Sequence, residues 1–155
     1  MFGETLWGAA ATTFFMAMVP VIELRGAIPV GVAAGLPVWV AAVIAVIGNM
    51  VPIPLILWLL RPVFFWLRRF PGMRAFIGKL EQRALQQGET VHKYRTLGLI
   101  VLVAVPLPGT GAWTGALVAD VLNMRMKLAL PAIFAGVCIA GGLVSLATLG
   151  LIRLI

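Results

Sequence analysis

Three long apolar stretches decide most of what this chain can fold into. Residues 6–60 carry two charges, Glu23 and Arg25; residues 96–124 carry one, Asp120; residues 128–152 carry none. About 20 apolar residues let a helix span the hydrocarbon core of a bilayer. A soluble helical core would show polar faces at a period near 3.6 residues, and these stretches show none. Composition agrees: of 155 residues, 62% are hydrophobic and 11% charged, where a soluble domain has roughly half and a quarter. The expected fold class is an all-α integral membrane protein. Residues 1–4 have no basic side chain, so a cleaved signal peptide is not expected. The single cysteine, Cys138, lies in the last stretch and reads as a small packing residue.

The net charge of +7 raises nucleic-acid binding, but the charge sits beside apolar spans and reads as topology instead. Residues 61–95 hold eight basic and two acidic side chains, which places them in the cytoplasm by the positive-inside rule. Within them Met73, Phe76, Ile77, Leu80, Ala84 and Leu85 recur at helical spacing. Arg74, Lys79, Glu81, Arg83 and Gln86 fill the other face, so an amphipathic helix on the inner leaflet is expected. His92, the single histidine, falls in this segment and reads as solvated.

Arg125 and Lys127 follow the stretch 96–124 directly. Full crossing would put them outside, against the charge rule; entry and return keeps both basic spots inside. The middle of that stretch reads Pro106-Leu107-Pro108-Gly109-Thr110-Gly111. Proline removes an amide donor and breaks a helix; glycine accepts the dihedrals of a sharp turn. The first half repeats the design with Pro20 to Pro29 around Glu23 and Arg25. Ala27, Gly31 and Gly35 follow at four-residue spacing, as do Gly111, Gly115 and Ala119, and such small residues let helices approach closely in lipid. One apolar span follows each turn, roughly 37–60 and 128–152. The expectation is two re-entrant hairpins and two spans in an inverted repeat. The single membrane domain divides into 1–60, a cytoplasmic basic segment 61–95, and 96–155. It lies in the cytoplasmic (inner) membrane with both termini outside.

Glu23 and Arg25 are the sharpest chemical signal, because an ionisable residue at membrane depth is costly. Two residues apart, they do not face each other on a regular helix; in an unwound turn both can point at one cavity. The plain alternative is an internal ion pair that only fixes the hairpin. A helix starting near Gly111 has amides without intrahelical partners and a dipole end that favours an anion. Thr110 and Thr114 can cap or line it. If the tips meet, Arg25 and these amides make a positive pocket for a phosphate or carboxylate. Glu23 is then the candidate proton site. Gly26, Pro29, Pro106 and Gly109 shape the two turns. Asn49 precedes Pro52-Ile53-Pro54, where a kink is expected, and reads as an inter-helix hydrogen-bonding residue. Asp120 reads as a surface partner of Arg125, and Trp113 as packing. No nucleophile–base pair, metal-ligand spacing or nucleotide loop stands out, so neither an enzyme nor a metal or cofactor is expected.

Glu23-Leu24-Arg25-Gly26-Ala27-Ile28-Pro29 and Pro106-Leu107-Pro108-Gly109-Thr110-Gly111-Ala112-Trp113-Thr114-Gly115 together resemble the family of putative small multidrug export proteins, over almost the whole chain. The arrangement is distantly similar to the DedA superfamily, whose members carry two opposed re-entrant hairpins. That resemblance implies movement of polyprenyl-phosphate or phospholipids between leaflets, and proton coupling. The second DedA hairpin typically bears arginine; residues 105–115 here hold no basic side chain, so amides and threonines would have to hold a phosphate. The leading expectation is a transporter of an anionic lipid or similar amphiphile. The alternatives are proton-coupled export of small cationic drugs with Glu23 as the cation site, and a non-transporting scaffold. Membrane lipids are the expected partners, with a homodimer suggested by the small-residue ridges, and no nucleic acid.

Overall fold

The computed structural model describes every residue except Met1, Gln87 and Pro108, and every side chain except those of residues 1–4, 64, 77, 80–93 and 108. Eight helices follow in order: α1 (Phe2–Met18), α2 (Glu23–Ala33), α3 (Val38–Met50), α4 (Pro52–Leu67), α5 (Pro71–Gln86), α6 (Gly88–Ala104), α7 (Ala112–Val121) and α8 (Met126–Leu154). The described residues are all-helical, as the apolar stretches require. Two helical segments are long and apolar enough to cross a membrane: Val38–Leu67, which joins α3 to α4, and Met126–Leu154. The kink expected near Asn49 falls at Val51. Pro52 opens α4, where its missing amide costs nothing. Neither Pro52 nor Pro54 can close the i→i−4 bond to Gly48 or Met50, so the helix bends there.

The short helices come from the Pro/Gly turns. With 11 and 10 residues, α2 and α7 are about 16 and 15 Å long, near half of a ~30 Å hydrocarbon core. Each packs back against the helix before it, α2 on α1 and α7 on α6. Each also ends the same way. Leu36 N–H bonds Gly31 O around Gly35 at φ 99°, and Met124 N–H bonds Ala119 O around Asn123 at φ 54°. Both are left-handed helix stops in which the amide beyond the cap reaches back to an orphan carbonyl. The next helix starts three residues after each, at Val38 and Met126.

From there the two halves stay in step. Glu23, Leu24, Ala27, Ile28, Gly31, Leu36, Ala41, Ala45, Gly48 and Asn49 are buried. So is the residue 88 positions later in every case: Gly111, Ala112, Gly115, Ala116, Ala119, Met124, Ala129, Ile133, Gly136 and Val137. Within this set only Ala41/Ala129 and Gly48/Gly136 are identical pairs. Both glycines sit where another helix comes close. A Cβ on Gly48 would lie 2.5 Å from the Phe14 carbonyl of α1, and one on Gly136 would lie 2.6 Å from Val103 Cβ and 2.9 Å from the Ile100 carbonyl of α6. The small-residue spacing read from the sequence is therefore present, with its register moved by one step. Ala27 and Gly31 match Gly115 and Ala119. Gly35 belongs to the helix stop and Gly111 to the start of α7, so neither lies on the ridge.

The basic segment takes in the end of α4, all of α5 and the start of α6. Met73 and Phe76 are exposed, as an apolar face on a bilayer would be in the isolated chain. The side chains of Ile77, Leu80, Glu81, Arg83, Ala84, Leu85, Gln86 and His92 lie outside the described residues. The charges that act on half-buried Asp120 come from Arg61 of α4 and from Arg68 just beyond its end, not from Arg125, because α7 packs along α4.

Candidate functional site

The two turns bring their helix ends together. Glu23 is the first residue of α2 and takes φ 50°, a left-handed conformation costly for any residue but glycine and concentrated at functional sites. It directs a carboxylate that is 5% exposed toward the first turn of α7, where Oε1 accepts the Trp113 amide at 3.4 Å. Gly111, the N-cap of α7, makes this approach possible: a Cβ there would collide with the Glu23 carboxylate. Gly111 itself brings no side chain to cap α7. Of the free amides that the sequence offered to an anion, that of Trp113 is met by Glu23 from the other half. Thr114 and Thr110 point elsewhere. The Thr114 hydroxyl donates to the Gly109 carbonyl at 2.8 Å, and the Thr110 hydroxyl faces the Val105 and Leu107 carbonyls at 2.8 and 2.9 Å.

Arg25 takes the opposite pole. Its Nη1 donates to the Leu107 carbonyl, and its Nη2 to the Val105 carbonyl at 3.1 Å and to Thr110 Oγ1 at 3.0 Å. These oxygens close the C-terminal end of α6, where a cation is favoured. Pro106 centres the turn that exposes them: Leu107 N–H bonds Val105 O across it at 2.9 Å, a three-residue turn close to the φ proline imposes. Gly109, at φ 82°, completes the loop. In α2, Pro29 cannot donate to the Arg25 carbonyl, and Gly26 leaves room for the Ile22 side chain, 2.5 Å from where its Cβ would be. Glu23 and Arg25 are thus sorted by helix end, the carboxylate to an N-terminus and the guanidinium to a C-terminus. Each ties the first turn to the second.

Asn49 completes the site from α3. It is 1% exposed, and neither its Nδ2 nor its Oδ1 has a hydrogen-bond partner; Arg25 Nε is also buried and unpartnered. The inter-helix bond expected of Asn49 is not formed. All three atoms belong to residues lining one crevice with Glu23, Leu24, Val103, Gly111, Ala112, Val137 and Ala140, closed to a water-sized sphere. At 1.5 Å per residue the crevice lies about 15–17 Å along α2 and α3 from their shared connection, and about 17–21 Å along α8 from its start. That is close to the middle of a ~30 Å core. Sequence reasoning took Trp113 for packing and Gly111 for turn geometry. Val103, Val137 and Ala140 carry no chemical signal and could be found only in three dimensions.

Residues 23–143 match a family profile described as putative small multi-drug export protein. The chain belongs to that family. Its matched region opens on Glu23 itself and takes in Arg25, Asn49 and the whole second turn. Family and spanning-length apolar helices together make this chain a membrane protein. No curated protein and no solved structure matches the chain.

Proposed function

We propose that this protein exports a small amphiphile with an anionic head, a lipid phosphate such as polyprenyl-phosphate among them, and that Glu23 carries one proton as it does so. The observation behind this is the setting of the Glu23 carboxylate. It lies at the N-terminal ends of both α2 and α7, beside Arg25. Helix N-termini favour negative charge. In the closed state Glu23 is the anion they hold. Once it is neutralised by a proton, the amides of α7 are free for the head group of a cargo. Proton and anion then favour each other's binding, by reciprocal linkage. An apolar groove of about 360 Å³ between α3 and α8, lined by Ala42, Val46, Phe134, Cys138, Gly141 and Ser145 among others, would take part of the tail.

We read α1–α2 and α6–α7 as hairpins that re-enter from opposite faces, each followed by a span, in an inverted repeat. The half-length α2 and α7 and the shared burial pattern support this. The basic segment then faces the cytoplasm and both termini lie outside the inner membrane. Small residues on the exposed side of α8 suit a homodimer. The family's description favours a second reading, export of cationic drugs on the Glu23 carboxylate. The guanidinium and two helix N-termini beside that carboxylate count against it.

Liposomes reconstituted with the protein under a pH gradient, carrying either labelled polyprenyl-phosphate or a lipophilic cationic dye, separate the readings. The expected outcome is transfer of the phosphate lipid, lost in Arg25→Ala. Cation transport that needs Glu23 and ignores Arg25→Ala would establish the second reading. No transfer of either above protein-free controls would leave a scaffold.

A further inference from the structure

Asn49 has no structural reason to be an asparagine. Its counterpart 88 residues later is Val137, which is buried and lines the same crevice. The second half therefore packs this position with a side chain of similar size and no polar atoms. The first half instead buries an amide whose Nδ2 and Oδ1 both lack partners, which leaves the desolvation of both atoms uncompensated. Orphaned polar groups of this kind call for an explanation outside the static fold.

We propose that Asn49 is the second resting place of the Glu23 carboxyl. This deepens the proton reading given above and rests on it. An ionised carboxylate only accepts hydrogen bonds, and the amide end of α7 only donates them, so the charged form is held where the structure places it. A protonated carboxyl carries an O–H that α7 cannot accept. Asn49 offers what that form needs. Its Oδ1 accepts the O–H and its Nδ2 donates to the remaining carboxyl oxygen, closing a paired ring. One proton enters to form the carboxyl O–H, and no other covalent bond is made or broken. The carboxyl turns from Gly111 toward α3, the crevice opens on the α7 side, and the amide of Trp113 is released to the cargo. Arg25, on the helix that bears Glu23, is the charged side chain that acts on it. Among the described residues, the elements packed around α2 present groups that do not titrate here: Thr13 from α1, Asn49 from α3, Thr110 and Gly111 from the second turn and Val137 from α8. The event is thus a change in one carboxyl and one amide, and Asn49 acts as a positioning residue.

The variant to use is Asn49→Val, which copies the other half. The full-length protein in lipid is followed by infrared difference spectroscopy between acidic and neutral buffer, with Glu23→Gln identifying the Glu23 carboxyl band. Hydrogen exchange at the Trp113 amide is read alongside. The wild type should show a hydrogen-bonded carboxyl band in acid, with faster exchange at that amide than pH alone explains. Asn49→Val should fold with equal or higher stability, shift the band to the higher frequency of an unbonded carboxyl, and lose the extra exchange. Asn49→Ser, which keeps an acceptor, should fall between. An unmoved band in Asn49→Val, with Glu23→Gln lacking it, overturns the role of Asn49 and leaves the proton reading standing. No Glu23 band at any pH overturns both. An Asn49→Val chain that fails to fold shows that the asparagine serves packing, and also overturns the proposal.

Discussion

Replacing Gly111 with alanine sets a methyl group onto the Glu23 carboxylate. The backbone there has φ 150° and ψ −168°, a region essentially reserved for glycine, and holding alanine in it costs about 1–3 kcal/mol. The added Cβ would stand 2.6 Å from the carboxylate carbon, so Glu23 must leave the α7 amides. Losing that charge-assisted bond costs a further ~1.5–3 kcal/mol. Together about 2.5–6 kcal/mol of destabilisation is expected. Gly109→Ala is the control. It also has positive φ, 82°, but nothing lies within 4 Å of its Cβ, so only backbone strain of about 1–2 kcal/mol is expected. Equilibrium unfolding of the purified protein in mixed micelles measures both. Glu23→Ala removes the clash, so Glu23→Ala/Gly111→Ala should fall short of the sum of the singles by about 1.5–3 kcal/mol, within the usual coupling of touching residues. Equal effects at Gly109 and Gly111, or additive singles, would refute the close approach of the two turns.

Other consequences follow from the same geometry. Arg25→Ala strips the donor from the Val105 and Leu107 carbonyls and from Thr110 and should destabilise by about 2–5 kcal/mol, with Arg25→Lys milder because it offers no fork; unfolding curves check both. Gly48→Ala and Gly136→Ala press on α1 and α6 in the same way and should each cost about 1–3 kcal/mol. Gly142→Ala, whose Cβ meets nothing within 4 Å, should stay within about 0.5 kcal/mol of wild type. In a Cys138→Ser background, an impermeant thiol reagent should label Gly35→Cys from outside and Asn123→Cys from the cytoplasm. Val21→Cys and Leu107→Cys should resist it from both sides, and ready labelling of Val21→Cys from the cytoplasm would mean that α1 crosses completely.

The helical class and the positions of both turns were legible because proline and glycine act locally, and because membrane helices lack a polar face. The four-residue spacing of small residues was legible too, but its register was not. Gly35 and Gly111 look like ridge residues in one dimension, and only backbone dihedrals separate a helix stop and a helix start from a packing stripe. The 88-residue match in burial was not legible, because burial and not identity is what the halves share: Ile28 and Ala116 are both buried with different volumes, as are Ala45 and Ile133. At the site, Glu23 and Arg25 stood out by charge. That they would part, one to each pole of the second turn, depends on which helix ends meet. That Glu23 would occupy the very amides proposed for a phosphate could not be read from residue spacing. Asn49 was visible as a polar residue in a span, but its lack of partners is a property of the packed state alone.

The central claim is that a proton on Glu23 and an anionic cargo are taken up together at the meeting of the two turns. It is tested most directly by the rate at which reconstituted protein transfers labelled polyprenyl-phosphate across liposomes as pH is varied, in wild type and Glu23→Gln. Wild-type transfer should rise as pH falls. Glu23→Gln, permanently neutral at that position, should show no pH dependence over the same range. The same pH dependence in both proteins would contradict the account.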